Sequence, residues 1–255
     1  MQITFLGTGT SQGIPVIACP CEVCASADPK DKRLRSSVLI ETAHTTMVID
    51  SGPDFRTQML REKVKKLDAI LFTHAHKDHT GGLDDIRSYN YLQQSPMDIY
   101  AEPLVVESLK KEYAYVFEEE KYPGVPEVNI HPVVDISRPF FVRDMEIMPV
   151  RLYHHKLPIL GFRISDFAYL IDTNYIPEEE KRKLKGLKIL VITALRMEKH
   201  LSHFSLPEAL EVIRELKPEK AYVTHISHQM GFHRDVFTRI YPEAEPAYDG
   251  LRLIC

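Results

Sequence analysis

The densest chemistry in the chain lies in "DAILFTHAHKDHTGG", residues 68–82. An apolar run with strand character ends at Thr73. His74, His76, Asp78 and His79 follow within six residues, and Gly81 and Gly82 then let the chain turn away. A strand that ends here delivers its next residues into a loop at a sheet's edge, where functional groups gather. Imidazole and carboxylate suit zinc, and also manganese or iron. Four such groups this close can hardly serve one ion without strain. The H-x-H-x-D-H spacing therefore suggests two neighbouring metals, with His74 and His76 on one and Asp78 and His79 on the other. A solvated polar loop with chance histidines is the plain alternative, and the density of donors after an apolar run weighs against it.

Other candidate ligands also close apolar runs. "FAYLID" ends on Asp172, "KAYVTH" on His225, and "EIMPVRLYHH" on His154 and His155. An aspartate ending an apolar run is a poor place for a charge unless something cationic awaits it. Singly, each has an ordinary explanation: Asp172 could cap the next helix, His225 could be a satisfied core histidine, and His154 could be exposed. Together with the 74–79 loop they supply seven donors, as a dinuclear site needs.

The H-x-H-x-D-H after a strand, the later histidine, then "LID" and "TH", resemble the metallo-β-lactamase superfamily. The order His74, His76, Asp78, His79, His154, Asp172, His225 matches that family's ligand order across most of the chain. The resemblance implies an α/β fold, a four-layer αββα sandwich, with the dinuclear site at the open edge between two sheets. It also implies that His74, His76 and His154 take one metal and Asp78, His79 and His225 the other, with Asp172 bridging. His154 rather than His155 is chosen because "HHKLPILGFRI" aligns its first histidine with the family's ligand before a Gly-aromatic strand. Asp50 in "TMVIDSGPD" resembles the family's structural aspartate, expected to orient ligands from behind. "FLGTGTSQG" lacks the lysine of a P-loop and the spacing of a dinucleotide fingerprint, and reads as a tight backbone turn.

Three further thiols, Cys19, Cys21 and Cys24 in "ACPCEVC", need a partner. In "THISH", His228 stands three residues beyond His225, so one histidine could serve the metal pair and the other lean away. With the thiols it makes a Cys₃His set, a closed arrangement typical of structural zinc. A redox cluster and ordinary buried cysteines are the alternatives, but nothing basic flanks the thiols closely enough to activate one. Cys255 is the rival fourth ligand and reads instead as a strand-end residue. C-x-C-x-x-C with a late H-x-x-H resembles one branch of the superfamily, that of the phosphoribosyl cyclic phosphodiesterase of the carbon–phosphorus lyase pathway. There such a zinc holds the N-terminal loop beside the active site.

Two metals a few ångströms apart lower the pKa of a bridging water and clamp attacking and leaving oxygens in line, which suits phosphodiesters. In "KHLSHFSLPEA", His203 stands two residues before Ser205, the expected N-cap of a helix whose free amides favour an anion. There it could protonate a departing alkoxide or stabilise phosphoryl charge. Its placement before "FSL" also resembles the catalytic histidine of the phosphodiesterase branch; the plain alternative is a surface histidine. Asp78 and His203 are the expected catalytic residues, and Arg196 and His200 could hold phosphate nearby. His44, His131, His155 and His233 join no constellation. The expected function is a dinuclear, zinc- or manganese-dependent hydrolase of a small or cyclic phosphodiester. Its rivals are a tRNA 3′-processing nuclease, a pyrroloquinoline quinone biosynthesis accessory protein, and a metal or thiol sensor without turnover.

Elements must bring these groups together. The 255 residues, 44% hydrophobic and 27% charged, can bury a substantial core. We read residues 1–255 as one hydrolase domain. Strand-like runs recur at "ITFL", "SVLIE", "TMVID", "DAILFT", "MDIYA", "EIMPVRLY", "GFRI", "FAYLID", "KILVIT", "KAYVTH" and "LRLIC". "PLVVESLKKEYAYVF" begins with a proline suited to a first helical turn. "SLPEALEVIREL" opens with Ser205 and Glu208 at capping-box spacing. This mixture puts sheets inside and helices outside. The acidic, proline-bearing 118–127 reads as a flexible excursion. No apolar run approaches the ~20 residues of a membrane span, and the N-terminus lacks signal-peptide features, so a cytoplasmic protein is expected. A net charge of −4 argues against a broad nucleic-acid surface. A small-molecule partner is expected, and a homodimer is compatible with a sequence that does not fix oligomeric state.

Overall fold

Six strands of the first half build one sheet: β1 (Gln2–Gly7), β2 (Ser37–Glu41), β3 (Thr46–Ile49), β4 (Ala69–Leu71), β5 (Met97–Ala101) and β6 (Val128–Pro132). The second sheet follows with β7 (Phe140–Val142), β8 (Met145–His154), β9 (Leu157–Ile164), β10 (Phe167–Leu170), β11 (Ile189–Thr193), β12 (Lys220–Thr224) and β13 (Glu245–Pro246). The last strand, β14 (Arg252–Ile254), returns to lie beside β1, so the orders are β14-β1-β2-β3-β4-β5-β6 and β13-β12-β11-β10-β9-β8-β7. This computed structural model describes residues 1–120 and 122–255. Lys121, inside the expected 118–127 excursion, lies outside the described residues.

The strand alternation sets the layers. Met47 and Ile49 of β3 and Ala69 and Leu71 of β4 enter the core between the sheets, where they meet Phe167 and Tyr169 of β10 and Ile189 and Val191 of β11. The intervening residues point outward. Val48 and Ile70 pack with Phe55, Met59, Val105 and Leu109 of the helices over the first sheet. Ala168, Leu170, Leu190 and Ile192 pack with Leu206, Ala209 and Ile213 of the helix over the second. Strands buried on both faces need both sets apolar, which explains their nearly unbroken hydrophobic runs. The result is the expected four-layer αββα sandwich. Among the described residues, no helix is long and apolar enough to cross a membrane.

Both expected helices form, over Pro103–Glu112 and Leu206–Leu216, the second with its Ser205–Glu208 capping box complete. Helices Phe55–Glu62 and Arg87–Gln93, and strands β6, β7 and β13, carry no clear sequence signal. Each is short or largely exposed, so its apolar pattern is weak.

The turn after the metal-ligand motif works differently from expectation. Gly81 and Gly82 have ordinary negative φ values of −67° and −105°. Close packing, rather than turning freedom, requires a glycine at position 82: a Cβ there would lie 2.2 Å from Gly52 O. A Cβ on Gly52 would in turn lie 2.0 Å from Asp78 O. Both contacts meet rigid backbone, so Gly52→Ala must push the 74–80 loop outward. We expect it to cost about 1–3 kcal/mol in chemical denaturation and to weaken metal retention on dialysis against a chelator.

The N-terminal loop is tied down by a buried cation. Arg33 donates from Nη1 to Thr8 Oγ1 at 2.8 Å and Ala247 O at 2.5 Å, and from Nη2 to His233 Nδ1 at 3.3 Å. A guanidinium can only donate, so His233 must present a lone pair. Burial first, then Arg33 and Lys30, push His233 down from 6.5 to about 4. The unfolded chain therefore takes up a proton that the folded one refuses. The His233 contribution is complete above about pH 6.5 and is lost as the pH falls toward 4, on the order of 3 kcal/mol at most. Urea melts of wild type and His233→Gln across this window should show the variant's stability falling less steeply.

Candidate metal centre

β3 and β4 run parallel, as do β10, β11 and β12. Their carboxyl ends gather at one edge of the sandwich, where open α/β sheets place ligands. Asp50 and His225 directly follow such a strand and Asp172 stands two residues beyond one, with positive φ values of 64°, 58° and 56°. For residues other than glycine this conformation costs on the order of 1 kcal/mol. It turns the chain sharply, leaving these side chains within the cleft and the backbone leaving it.

Asp172 is the hub, with 2% of its surface exposed. Its Oδ2 lies 3.2 Å from His74 Nε2 and 3.1 Å from His79 Nε2. Its Oδ1 lies 3.1 Å from His154 Nδ1, 2.5 Å from His203 Nε2 and 3.5 Å from His225 Nε2. Burial alone would raise this carboxyl's pKa; the imidazoles around it hold it well below the usual range. Asp78 Oδ2 reaches His79 Nε2 at 3.1 Å. His76 packs edge-on against His74 and His154, with ring centroids 4.6 and 5.1 Å apart. The structure thus brings together all seven sequence-predicted donors, and adds His203 to them.

The outer nitrogens reveal the state of the rings. His79 Nδ1 lies 2.7 Å from Asp50 Oδ2 and donates to it. Asp50 also accepts from the Thr73 amide and hydroxyl, both at 2.8 Å. Because Thr73 Oγ1 gives its proton to Asp50, it accepts from His74 Nδ1 at 2.9 Å. Ser36 Oγ likewise donates to Gly9 O at 2.9 Å and so accepts from His225 Nδ1 at 3.1 Å. In the neutral rings of His74 and His225 the proton is on Nδ1, and a bare Nε2 lone pair faces a carboxylate. Burial lowers His74 and takes His225 down to about 3, so both stay neutral. His79 differs: burial opposes its charge, but Asp50 and Asp78 outweigh it and hold its pKa well above 6.5.

Lone pairs facing carboxylate oxygens repel unless a cation lies between them. Among the described residues, buried His74 Nε2 has no hydrogen-bond partner. The donor set of imidazole and carboxylate therefore fits divalent metal. The ligand-capable atoms fall into groups within 4.8 Å of one another: His74, His79 and Asp172; His76, His154 and Asp172; Asp172, His203 and His225. The expected division between two ions separates His74 from His79, whereas here Asp172 Oδ2 faces both.

The thiol cluster also assembles. His228 Nδ1 lies 3.3 Å from Cys19 Sγ, 3.3 Å from Cys21 Sγ and 3.7 Å from Cys24 Sγ. Tetrahedral zinc–sulfur and zinc–nitrogen bonds would set such an edge at about 3.6 Å. The backbone amide of Cys24 and then His228 draw the Cys21 thiol down to about 6, toward the thiolate a metal prefers. Cys255 lies apart: its amide donates to Met1 O at 2.9 Å, beside β1.

Two sequence expectations change. The start of helix Leu206–Leu216 is not open to an anion, because Glu208 Oε2 already accepts from the Ser205 amide at 2.9 Å and the Leu206 amide donates to Arg196 O at 2.8 Å. Arg196 does not point into the centre; it donates to Gln229 Oε1 at 2.8 Å and to Lys199 O at 3.1 Å. Ser36 and Thr73, which set the ring orientations, carried no sequence signal because one hydroxyl at the end of an apolar run has no pattern of its own. "FLGTGTSQG" is a backbone brace: Thr10 donates to Ile226 O at 3.2 Å and Gly9 O holds Ser36.

Residues 45–226 match the model of the beta-lactamase superfamily domain. A protein of Porphyromonas gingivalis named octanoyltransferase is 39% identical over 256 residues, covering 100% of this chain and 51% of its own length. A ribonuclease Z of an Exiguobacterium species is 26% identical over 65% of this chain and 49% of its own. The chain thus spans about half the length of these curated relatives. Among solved structures, a diphosphatase from the PhnP family superposes with a TM-score of 0.92 at 36% identity, covering 100% of this chain and 97% of the other. Zinc-bound PqqB from Methylobacterium extorquens shares the fold, with a TM-score of 0.81 at 16% identity over 100% of both chains. The layered sandwich, the carboxylate–imidazole edge and these matches agree: the chain belongs to the metallo-β-lactamase superfamily and is related to the PhnP-family diphosphatase.

Proposed function

We propose that residues 1–255 form one domain, a dinuclear metal-dependent hydrolase of a small or cyclic phosphodiester. The bare Nε2 atoms of His74 and His225, turned toward the buried Asp172 carboxylate, carry this reading. His74, His76 and His154 would hold one ion, Asp78, His79 and His225 the other, and Asp172 both, with zinc or manganese as the metal. Bound there, the ions supply Lewis-acid polarisation of phosphoryl oxygens and a water of lowered pKa. The chain's own part is to orient and to move a proton. Asp50, Thr73 and Ser36 fix the rings from behind. A water that has given one proton to bulk solvent bonds through its oxygen to phosphorus, the opposite P–O bond breaks, and its electron pair goes to the leaving oxygen. His203 Nε2 gives that oxygen a proton. Cys19, Cys21, Cys24 and His228 would hold a separate structural zinc.

A second reading is the phosphoanhydride of a diphosphate, favoured by the 36% identity to the PhnP-family diphosphatase over nearly the whole of both chains. It uses the same centre and a phosphate rather than an alkoxide as leaving group. The net charge of −4 and the acidic 118–127 segment favour a small substrate over RNA. Octanoyl transfer finds less support, since the match covers 51% of that relative and the thiols here converge on His228.

Elemental analysis of protein made in zinc-supplemented medium should find three ions per chain. Cys24→Ser or His228→Ala should lose one of them and lower the melting temperature while keeping two. A cyclic ribose phosphodiester, a linear dinucleotide and inorganic diphosphate, assayed separately with zinc and manganese, should rank the substrate classes. On the best of them, His203→Ala should lose about 10²–10⁴-fold in rate with its metal content intact. A retained rate would remove His203 from the chemistry, and failure on every phosphoric substrate would sink the reading.

A further inference from the structure

Three rings of the centre, those of His74, His79 and His225, donate from Nδ1 to an oxygen behind them. His203 differs. Its Nε2 faces Asp172 Oδ1, but behind it stands another imidazole, with His200 Nδ1 2.9 Å from His203 Nδ1. Ser202 Oγ lies 3.0 Å from His203 Nδ1 and 3.3 Å from His200 Nδ1. Two ring nitrogens this close must be one donor and one acceptor.

The backbone decides which is which. The Ser202 amide donates to His200 Nδ1 at 3.3 Å, so that nitrogen carries the lone pair. The proton then sits on His203 Nδ1, whether it reaches His200 directly or through the Ser202 hydroxyl. We propose that His200 is a positioning residue that fixes His203 as its Nδ1–H tautomer, aiming Nε2 at the reacting phosphate. Its consequence for catalysis rests on the hydrolase reading given above.

The surroundings keep His200 an acceptor. Burial first, then the His203 ring and the Arg196 guanidinium, push its pKa down, so it stays neutral. The turn carrying both rings is braced: Leu195 donates to Phe204 O at 2.9 Å, Phe204 to Thr173 O at 2.8 Å and Asn174 Nδ2 to Leu201 O at 3.2 Å. These bonds anchor it to the segment that follows Asp172. In the reaction, His203 Nε2 gives its proton to the leaving oxygen as the P–O bond breaks. The neutral ring keeps its Nδ1–H on His200 throughout.

The test compares zinc-loaded wild type with His200→Leu, which cannot accept, and His200→Asn, whose Oδ1 can. Imidazole ¹⁵N–¹H spectra should place the His203 proton on Nδ1 in wild type and His200→Asn, and move or split it in His200→Leu. Rates on matched diesters with an alkyl or a p-nitrophenyl leaving group supply the second readout. His200→Leu should lose at least about tenfold more on the alkyl diester, which needs a proton, and His200→Asn should recover most of that difference. An unchanged Nδ1–H signal in His200→Leu, or equal losses on both diesters at unchanged zinc content, would overturn the inference. Should wild type hydrolyse neither diester, the hydrolase reading fails on its own and the spectra alone decide the tautomer.

Discussion

A carboxylate with almost no exposure, surrounded by imidazoles, is the constraint on which the rest of the molecule depends. Asp172 follows a strand buried on both faces and takes a left-handed backbone to stay within the cleft. Isolated, such a charge would cost several kcal/mol and would escape by taking up a proton. It remains ionised because His79 and His154, whose pKa values are raised, face it with N–H groups, and because a cation fits between it and the bare nitrogens of His74 and His225. Ser36 and Thr73 keep those nitrogens of His225 and His74 bare, by occupying the outer nitrogens as acceptors. What remains at the centre is a concentration of lone pairs and negative charge whose natural complement is divalent metal.

The sandwich meets this constraint by topology. Parallel strands align their carboxyl ends, and packing two sheets face to face brings those ends together along one edge of the sandwich. The Leu160 amide donates to Thr73 O at 3.0 Å, joining β9 of one sheet to the turn after β4 of the other beside the ligands. Opening the cleft would break that bond and expose the apolar layer between the sheets. The candidate donors therefore sit where the two sheets are bonded to each other, as precise positioning requires. Close backbone contacts serve the same end: Gly52 admits the Asp78 carbonyl, and Gly82 admits that of Gly52.

Much of this was legible in the sequence because it is written in period and in ligand type. The short, nearly unbroken apolar runs located the sheets, and H-x-H-x-D-H with Asp172 and His225 at strand ends located the centre. What escaped has no period. Strand β6 is an exposed edge and β7 has three residues, so neither has room for a pattern. Arg33 reads as a surface charge, yet it lies buried against Thr8, Ala247 and His233, which are scattered along the chain. His233, set aside as ordinary, is its acceptor. The helix start expected to bind an anion was misjudged for a related reason: the Ser205–Glu208 box was recognised, but its carboxylate is itself the anion that occupies the site. Ser36, Thr73 and His200 matter through which nitrogen they face, a three-dimensional fact that spacing cannot encode.

The two clusters are coupled through a short stretch of backbone. His225 turns toward Asp172 and His228 toward the thiols, with Ile226 and Ser227 between them. Ile226 is held by Thr8 O at 2.9 Å on its amide and by the Thr10 amide at 3.2 Å on its carbonyl, while the Ser227 amide donates to Leu195 O at 2.9 Å. The same Thr8–Thr10 segment carries Gly9, whose carbonyl orients the Ser36 hydroxyl behind His225. A shift of the thiol loop would therefore reach His225 by two routes, along the chain from His228 and across it through Gly9 and Ser36. The lost hydrogen bond to Ser36 is itself worth only about 1 kcal/mol. Its larger effect would be on ring orientation, since partners behind a ligand typically govern about 10–100-fold in metal affinity or activity. The thiol cluster thus bears on the fold less by its own burial than by holding the His225 ring in register against Asp172.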